Sequence, residues 1–127
     1  MTILLRPGIM PVKAPQMTLL MAIAATQGIR RVTGLEAGIK WPNDIYVDDL
    51  KICEILVEAI YQTDLEGVVV GVGLNVNSIN GDYASMKMKT GQTYQVKSLM
   101  IAIRYTIVFI SKVRMIKFLI MLMILLI

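Results

Sequence analysis

Two hydrophobic periods alternate along this chain. Between Ala14 and Val32 the apolar and small residues Met17, Leu20, Met21, Ala24, Ala25 and Gly28 fall three or four apart, which predicts a helix with one core-facing stripe. Pro11 and Pro15 bracket its start, and Thr33-Gly34 is a fitting stop because glycine takes the left-handed conformation freely. Elsewhere the pattern is that of strands. Thr2 to Leu5 reads as the end of a strand, stopped by Arg6-Pro7-Gly8. Ala37 to Trp41 is a short strand closed by Pro42. Asn43-Asp44 is turn chemistry, since both side chains can bond their own backbone, and Ile45-Tyr46-Val47 is the next strand. Asp48-Asp49 turns the chain into a long β-rich run, Lys51 to Tyr61, in which Ile52, Ile55, Val57 and Ile60 are interspersed with Glu54 and Glu58. After a polar turn from Gln62 to Glu66, the nearly unbroken apolar run Val68 to Val76 predicts a strand buried on both faces. One long helix among turn-linked strands predicts an α+β domain, a mixed β-sheet flanked by helices.

Composition divides the chain. At 127 residues it holds one small domain, but its apolar fraction of 56% exceeds the usual ~45–50%. The excess lies at the end, where Lys117 is the only polar residue from Met115 to Ile127. Charge is uneven as well. Residues 1–82 carry 6 Lys/Arg against 9 Asp/Glu, a net of −3, whereas residues 83–127 carry 7 Lys/Arg and no acid. The expected organisation is therefore a core over residues 1–98 and a basic, apolar, helical tail over 99–127. Because the basic charge sits in that tail, nucleic acid is not an expected partner. The tail's charges interrupt it too closely for the ~20 apolar residues of a membrane span. Its abrupt onset favours a misread or frame-shifted ending over an amphipathic anchor lying on a membrane. The absence of histidine removes histidine triads, histidine metal sites and histidine general bases, and no metal-ligating set is expected. A single cysteine, Cys53, excludes an internal disulfide and suits a reducing, cytoplasmic setting, and the first residues are too briefly apolar for a signal peptide.

Two stretches carry candidate chemistry. In Lys40-Trp41-Pro42-Asn43-Asp44 a lysine leaves the end of a strand into a proline-stiffened turn, where a fixed ammonium can hold a carboxylate or phosphate oxygen. In Val70-Gly71-Val72-Gly73-Leu74-Asn75-Val76-Asn77 two glycines interrupt a strand, a pattern that marks close approach of a ligand or of another backbone. Asn75 and Asn77 share one face by strand alternation, where amides can bond a ligand's polar edge. Lys51 reads equally as a solvated lysine at a strand end. Trp41 is expected in the core, Cys53 as an inert buried thiol, and Asp48, Asp49, Asp64 and Glu66 as solvated turn residues.

Taken in order, Lys40 to Asp44, Lys51-Ile52-Cys53-Glu54-Ile55-Leu56 and Gly71-Val72-Gly73-Leu74-Asn75 resemble the biotin–protein ligase family, whose pattern is a lysine-tryptophan-proline-asparagine-aspartate run, a lysine-hydrophobic-small-glycine-isoleucine-leucine segment and a glycine-x-glycine-hydrophobic-asparagine strand. The likeness takes in Leu4 to Pro7, the helix at 14–32 and the piece from Ser85 to Gly91, covering about residues 2–110. It implies the class II aminoacyl-tRNA synthetase/biotin ligase catalytic fold, here incomplete. It also implies a two-step ligase: biotin and MgATP form biotinyl-5′-AMP and pyrophosphate, and biotin then passes to a lysine of a biotin carboxyl carrier domain. In that scheme Lys40 is the catalytic, biotin-touching lysine. Asn43 and Asp44 shape its turn and help with the nucleotide or metal, and Gly71, Gly73 and Asn75 line the adenylate pocket. Two departures stand out. The family's glycine- and arginine-rich covering loop is not in this sequence, so the chain alone is expected to be inactive, and Glu54 stands where the pattern has glycine. The alternative is a small, non-catalytic, membrane-associated protein with a relic ligase core. The helix-turn-helix that some family members carry has no room before Thr2.

Overall fold

The computed structural model describes residues 1–6, 11–80 and 83–112. A five-stranded sheet is built from β1 (Thr2–Leu5), β2 (Gly38–Lys40), β3 (Asp44–Val47), β4 (Leu50–Tyr61) and β5 (Leu65–Leu74), in the order β1-β5-β4-β3-β2. Among the described residues three α-helices accompany it, α1 (Gln16–Thr33), α2 (Met86–Thr90) and α3 (Val96–Lys112), and a single 3-10 turn at Pro11–Lys13 precedes α1. This is the α+β arrangement of sheet and flanking helices, and every pairing between described strands is antiparallel. The Pro7-Gly8 stop and the tail beyond Lys112 lie outside the described residues.

The helical stripe is where its spacing places it. Met17, Leu20, Met21, Ala24, Ala25 and Gly28 are all buried, and the stripe widens to include Ala22, Ile23 and Ile29 because α1 packs on both the sheet and α3. Gly34 ends the helix in the left-handed region (φ 72°), its N–H donating to Arg30 O at 2.8 Å. The β3–β4 hairpin turns on Asp48 and Asp49 with φ of 48° and 61°, a two-residue turn in which both residues must be left-handed. Aspartate tolerates that region better than most side chains.

Two expectations are corrected. The run Val68 to Val76 is not buried on both faces. Val68, Val70 and Val72 are buried, while Val69 and Gly71 are half-buried and Gly73 is exposed. Among the described residues the helices cover one face of the sheet only, so strand alternation decides each residue's fate. The partition expected at 98/99 falls inside α3. Leu99, Ala102, Ile103, Thr106 and Ile107 recur at helical spacing and are buried, so the helix joins the core instead of leaving it.

Candidate functional site

The uncovered face of the sheet gathers the chemistry. Its register places Lys40 opposite Asp44, Asp44 opposite Glu54, and Glu54 opposite Gly73, a single row running across β2, β3, β4 and β5. Gly38, Tyr46 and Lys51 form the adjoining row on one side, and Thr2, Gly71 and Leu56 form another towards β1. Lys51 reaches this face through a β-bulge. Ile45 pairs with Cys53 but Tyr46 pairs with Lys51, which leaves Ile52 as the extra residue, and both Ile52 and Cys53 are buried. Without that extra residue Lys51 and Glu54, three apart, would point to opposite faces.

Lys51 is the ionic centre. Its Nζ lies 2.9 Å from Asp44 Oδ1 and 3.2 Å from Glu54 Oε2. Asp44 Oδ1 is buried and has no well-aligned hydrogen bond, so the contact with the ammonium is chiefly one of charge. Asp44, with Glu54 in support and partial burial in opposition, raises the Lys51 pKa above the ordinary lysine value of 10.5. Lys40, at the end of β2, rests its ammonium 4.7 Å from the Tyr46 ring centre, a cation–π contact. A concavity of about 290 Å³ opens beside this cluster, lined by Lys51, Ile52, Cys53, Glu54, Gly73, Asn75 and Tyr83. A larger groove of about 470 Å³ between β1 and α3 is almost wholly apolar along Ile3, Leu5, Met100 and Ile101 and brings no acid–base pair together.

The remaining sequence candidates divide. A Cβ on Gly71 or Gly73 would come no closer than 3.8 Å to Leu56 or Glu54, an ordinary contact, so tight packing within the sheet does not require either glycine. Asn75 stands at the end of β5 with its backbone N–H bonded to Ile52 O at 2.9 Å and its side chain at the concavity. Asn43 is a tether: its Nδ2 donates to Ile55 O at 3.1 Å and its own carbonyl accepts from Ile55 N–H at 2.9 Å. Asn77 does not join Asn75 at the concavity, because its amide donates to Tyr94 O at 2.9 Å and accepts from Tyr94 N–H at 3.0 Å. Trp41 is not core. It is 78% exposed, in the turn that follows the three-residue edge strand β2, beyond the reach of the helices. Cys53 is buried, and burial, with Asp44 adding to it, pushes its thiol up to about 12. Lys51 was the residue left undecided by sequence alone. Its neighbour Glu54 suggests a regular strand with the two on opposite faces, and the bulge that reverses this leaves no mark in the residue types.

Residues 2–75 match the model of the biotin/lipoate A/B protein ligase family. The chain belongs to this family. It is 43% identical over 84 residues to the bifunctional ligase/repressor BirA of Bacillus spizizenii, a match covering 65% of this chain and 26% of that protein. The chain therefore spans about a quarter of that relative's length. Among solved structures, the Aquifex aeolicus biotin protein ligase in complex with biotin and ATP matches with a TM-score of 0.75 at 22% identity, over 87% of this chain and 48% of that one. The Leishmania major biotin protein ligase in complex with biotinyl-5-AMP matches with a TM-score of 0.76 at 17% identity, over 94% of this chain and 56% of that one. The expected fold is the observed one: the structure carries the biotin protein ligase architecture, and the likeness extends past residue 75 through α2 and into α3. Among the described residues no helix is long and apolar enough to cross a membrane.

Proposed function

We propose that the uncovered sheet face is the biotin- and ATP-handling surface of a biotin–protein ligase catalytic core. The observation that carries the reading is the meeting of Lys51, Lys40, Gly71, Gly73 and Asn75 on one face of a sheet in a chain of this family. In the reaction, the carboxylate oxygen of biotin attacks the α-phosphorus of ATP and pyrophosphate departs, leaving biotinyl-5′-AMP. A lysine amine of a biotin carboxyl carrier domain then attacks the acyl carbon and releases AMP. Both attacking oxygen and phosphate are anionic, so the protein's task is positioning and charge neutralisation. On this reading Lys51, at the concavity, meets the carboxylate and α-phosphate oxygens, with Lys40 in the next row as the second cation. Gly71 and Gly73 keep the strand free of side chains where the ligand would lie, Asn75 offers an amide at its end, and Asn43 and Asp44 hold the turn and Lys51 in place.

Magnesium enters this scheme with the nucleotide. Among the described residues no group of three carboxylate, thiol or imidazole donors could hold it, and the two nearby acids are engaged with Lys51, so no step is assigned to a protein-bound ion. Calorimetric titration of the 127-residue chain with biotin, and separately with ATP, tests the reading. Saturable binding of either that is lost in Lys51→Met supports it. Absence of saturable binding by both ligands overturns it. The carrier-domain partner belongs to the same proposal and follows from the biotin-transfer chemistry; the proposed cytoplasmic location rests on the single free cysteine.

A further inference from the structure

The ammonium of Lys51 lies between two carboxylates of its own chain, forming ion pairs with Asp44 at 2.9 Å and Glu54 at 3.2 Å. The two partners differ in freedom. The Asp44 side chain is 25% exposed and held between β2 and β4, whereas that of Glu54 is 60% exposed and projects from the middle of the uncovered face. Asp44 is therefore the fixed partner and Glu54 the one that a rotamer change can withdraw. Two carboxylates around one ammonium leave the mouth of the concavity locally negative, and the other nearby cation, Lys40, is already seated over Tyr46.

We propose that Glu54 sets the anion affinity of this site: its carboxylate occupies the place on Lys51 that a ligand's carboxylate or phosphate takes, so the ligand binds only by displacing it. The inference rests on the reading of the uncovered face as an anion-handling surface and adds a residue that holds it closed to weak anions. It requires proximity, not merely charge. Glu58 lies on the same strand and the same face, opposite Val69, and is not one of the carboxylates in contact with Lys51, which makes it the internal control.

The test compares the full chain with Glu54→Gln and Glu58→Gln by calorimetry, using biotin and inorganic pyrophosphate as separate probes. Glutamine keeps the shape of the side chain and removes the charge. The expected result is binding about fivefold tighter or more in Glu54→Gln for at least one of the two anions, with Glu58→Gln unchanged. A gain for pyrophosphate without any binding of biotin supports the role of Glu54 and overturns the biotin reading. No gain for either anion overturns the role of Glu54, and if biotin nevertheless binds both proteins equally well the biotin reading stands without it. An equal gain in Glu58→Gln reduces the effect to net charge and also overturns it.

Discussion

Gly28 of α1 and Ile103 of α3 approach so closely that a methyl group added to the glycine would lie 2.7 Å from Ile103 Cγ1 and 3.2–3.3 Å from its backbone N and Cα. The absence of a side chain at position 28 sets the distance between the two helices. Alanine there would gain ~0.5–1 kcal/mol of helix propensity, but separating packed helices costs ~1–3 kcal/mol. Gly28→Ala is expected to lower the unfolding free energy by about 1–2 kcal/mol in chemical denaturation. Ile103→Ala is itself costly at a buried position, but in its presence Gly28→Ala should cost less than it does alone, and strict additivity of the two changes would contradict the contact.

Lys51→Met tests the ionic cluster through pH. A lysine raised in the folded state contributes stability that is fully present below its unfolded value of 10.5 and is lost as pH rises through the higher folded value. The stability gap between wild type and variant should therefore be flat across neutral pH and close only above about 10.5. Because the side chain is partly exposed, solvent screening keeps the gap to about 1 kcal/mol or less. Thermal melts between pH 6 and 11 would read it, and a gap that closes between pH 6 and 9 would contradict the assignment.

Asn77 joins the segment after β5 to the segment before α3 through two hydrogen bonds with the Tyr94 backbone. Asn77→Ala leaves that half-buried N–H and carbonyl unpaired, at a cost of ~1–3 kcal/mol. Urea denaturation should show the loss. If ligand binding by the folded protein is also abolished, Asn77 has a role at the site that the structure does not assign to it.

Cys53 should be nearly inert. Its thiol stands at about 12 against an ordinary 9.0, so near neutral pH the thiolate fraction falls on the order of a thousandfold. Ellman-type labelling of the folded chain should be slower than that of a free thiol by at least this factor and should become rapid in denaturant. Fast labelling in the native state would place the thiol outside the core.

Trp41, the only tryptophan, reports on the β2–β3 turn. At 78% exposure its emission should already lie near that of indole in water, be quenched by iodide, and shift little on unfolding. A blue-shifted, protected tryptophan would bury this turn.

Local rules made much of this protein legible from residue order. The stripe from Met17 to Gly28 with its glycine stop specified α1, the Asp48-Asp49 turn specified the β3–β4 hairpin, and the motif stretches pointed to the family. Each depends on neighbours a few residues apart, which a sequence displays directly. Tertiary structure decided what depends on distant partners. Whether Val68–Val76 was buried on one face or two depended on which sides the helices covered. The tail's first turns joined the core because α3 found α1 at Gly28. Lys51 became the ionic centre because a bulge at Ile52 rotated it onto the face of Glu54 and brought Asp44 across from the next strand. A bulge is a property of the pairing between two strands, not of the residue types within one, so alternation along β4 alone assigns Lys51 to the wrong face.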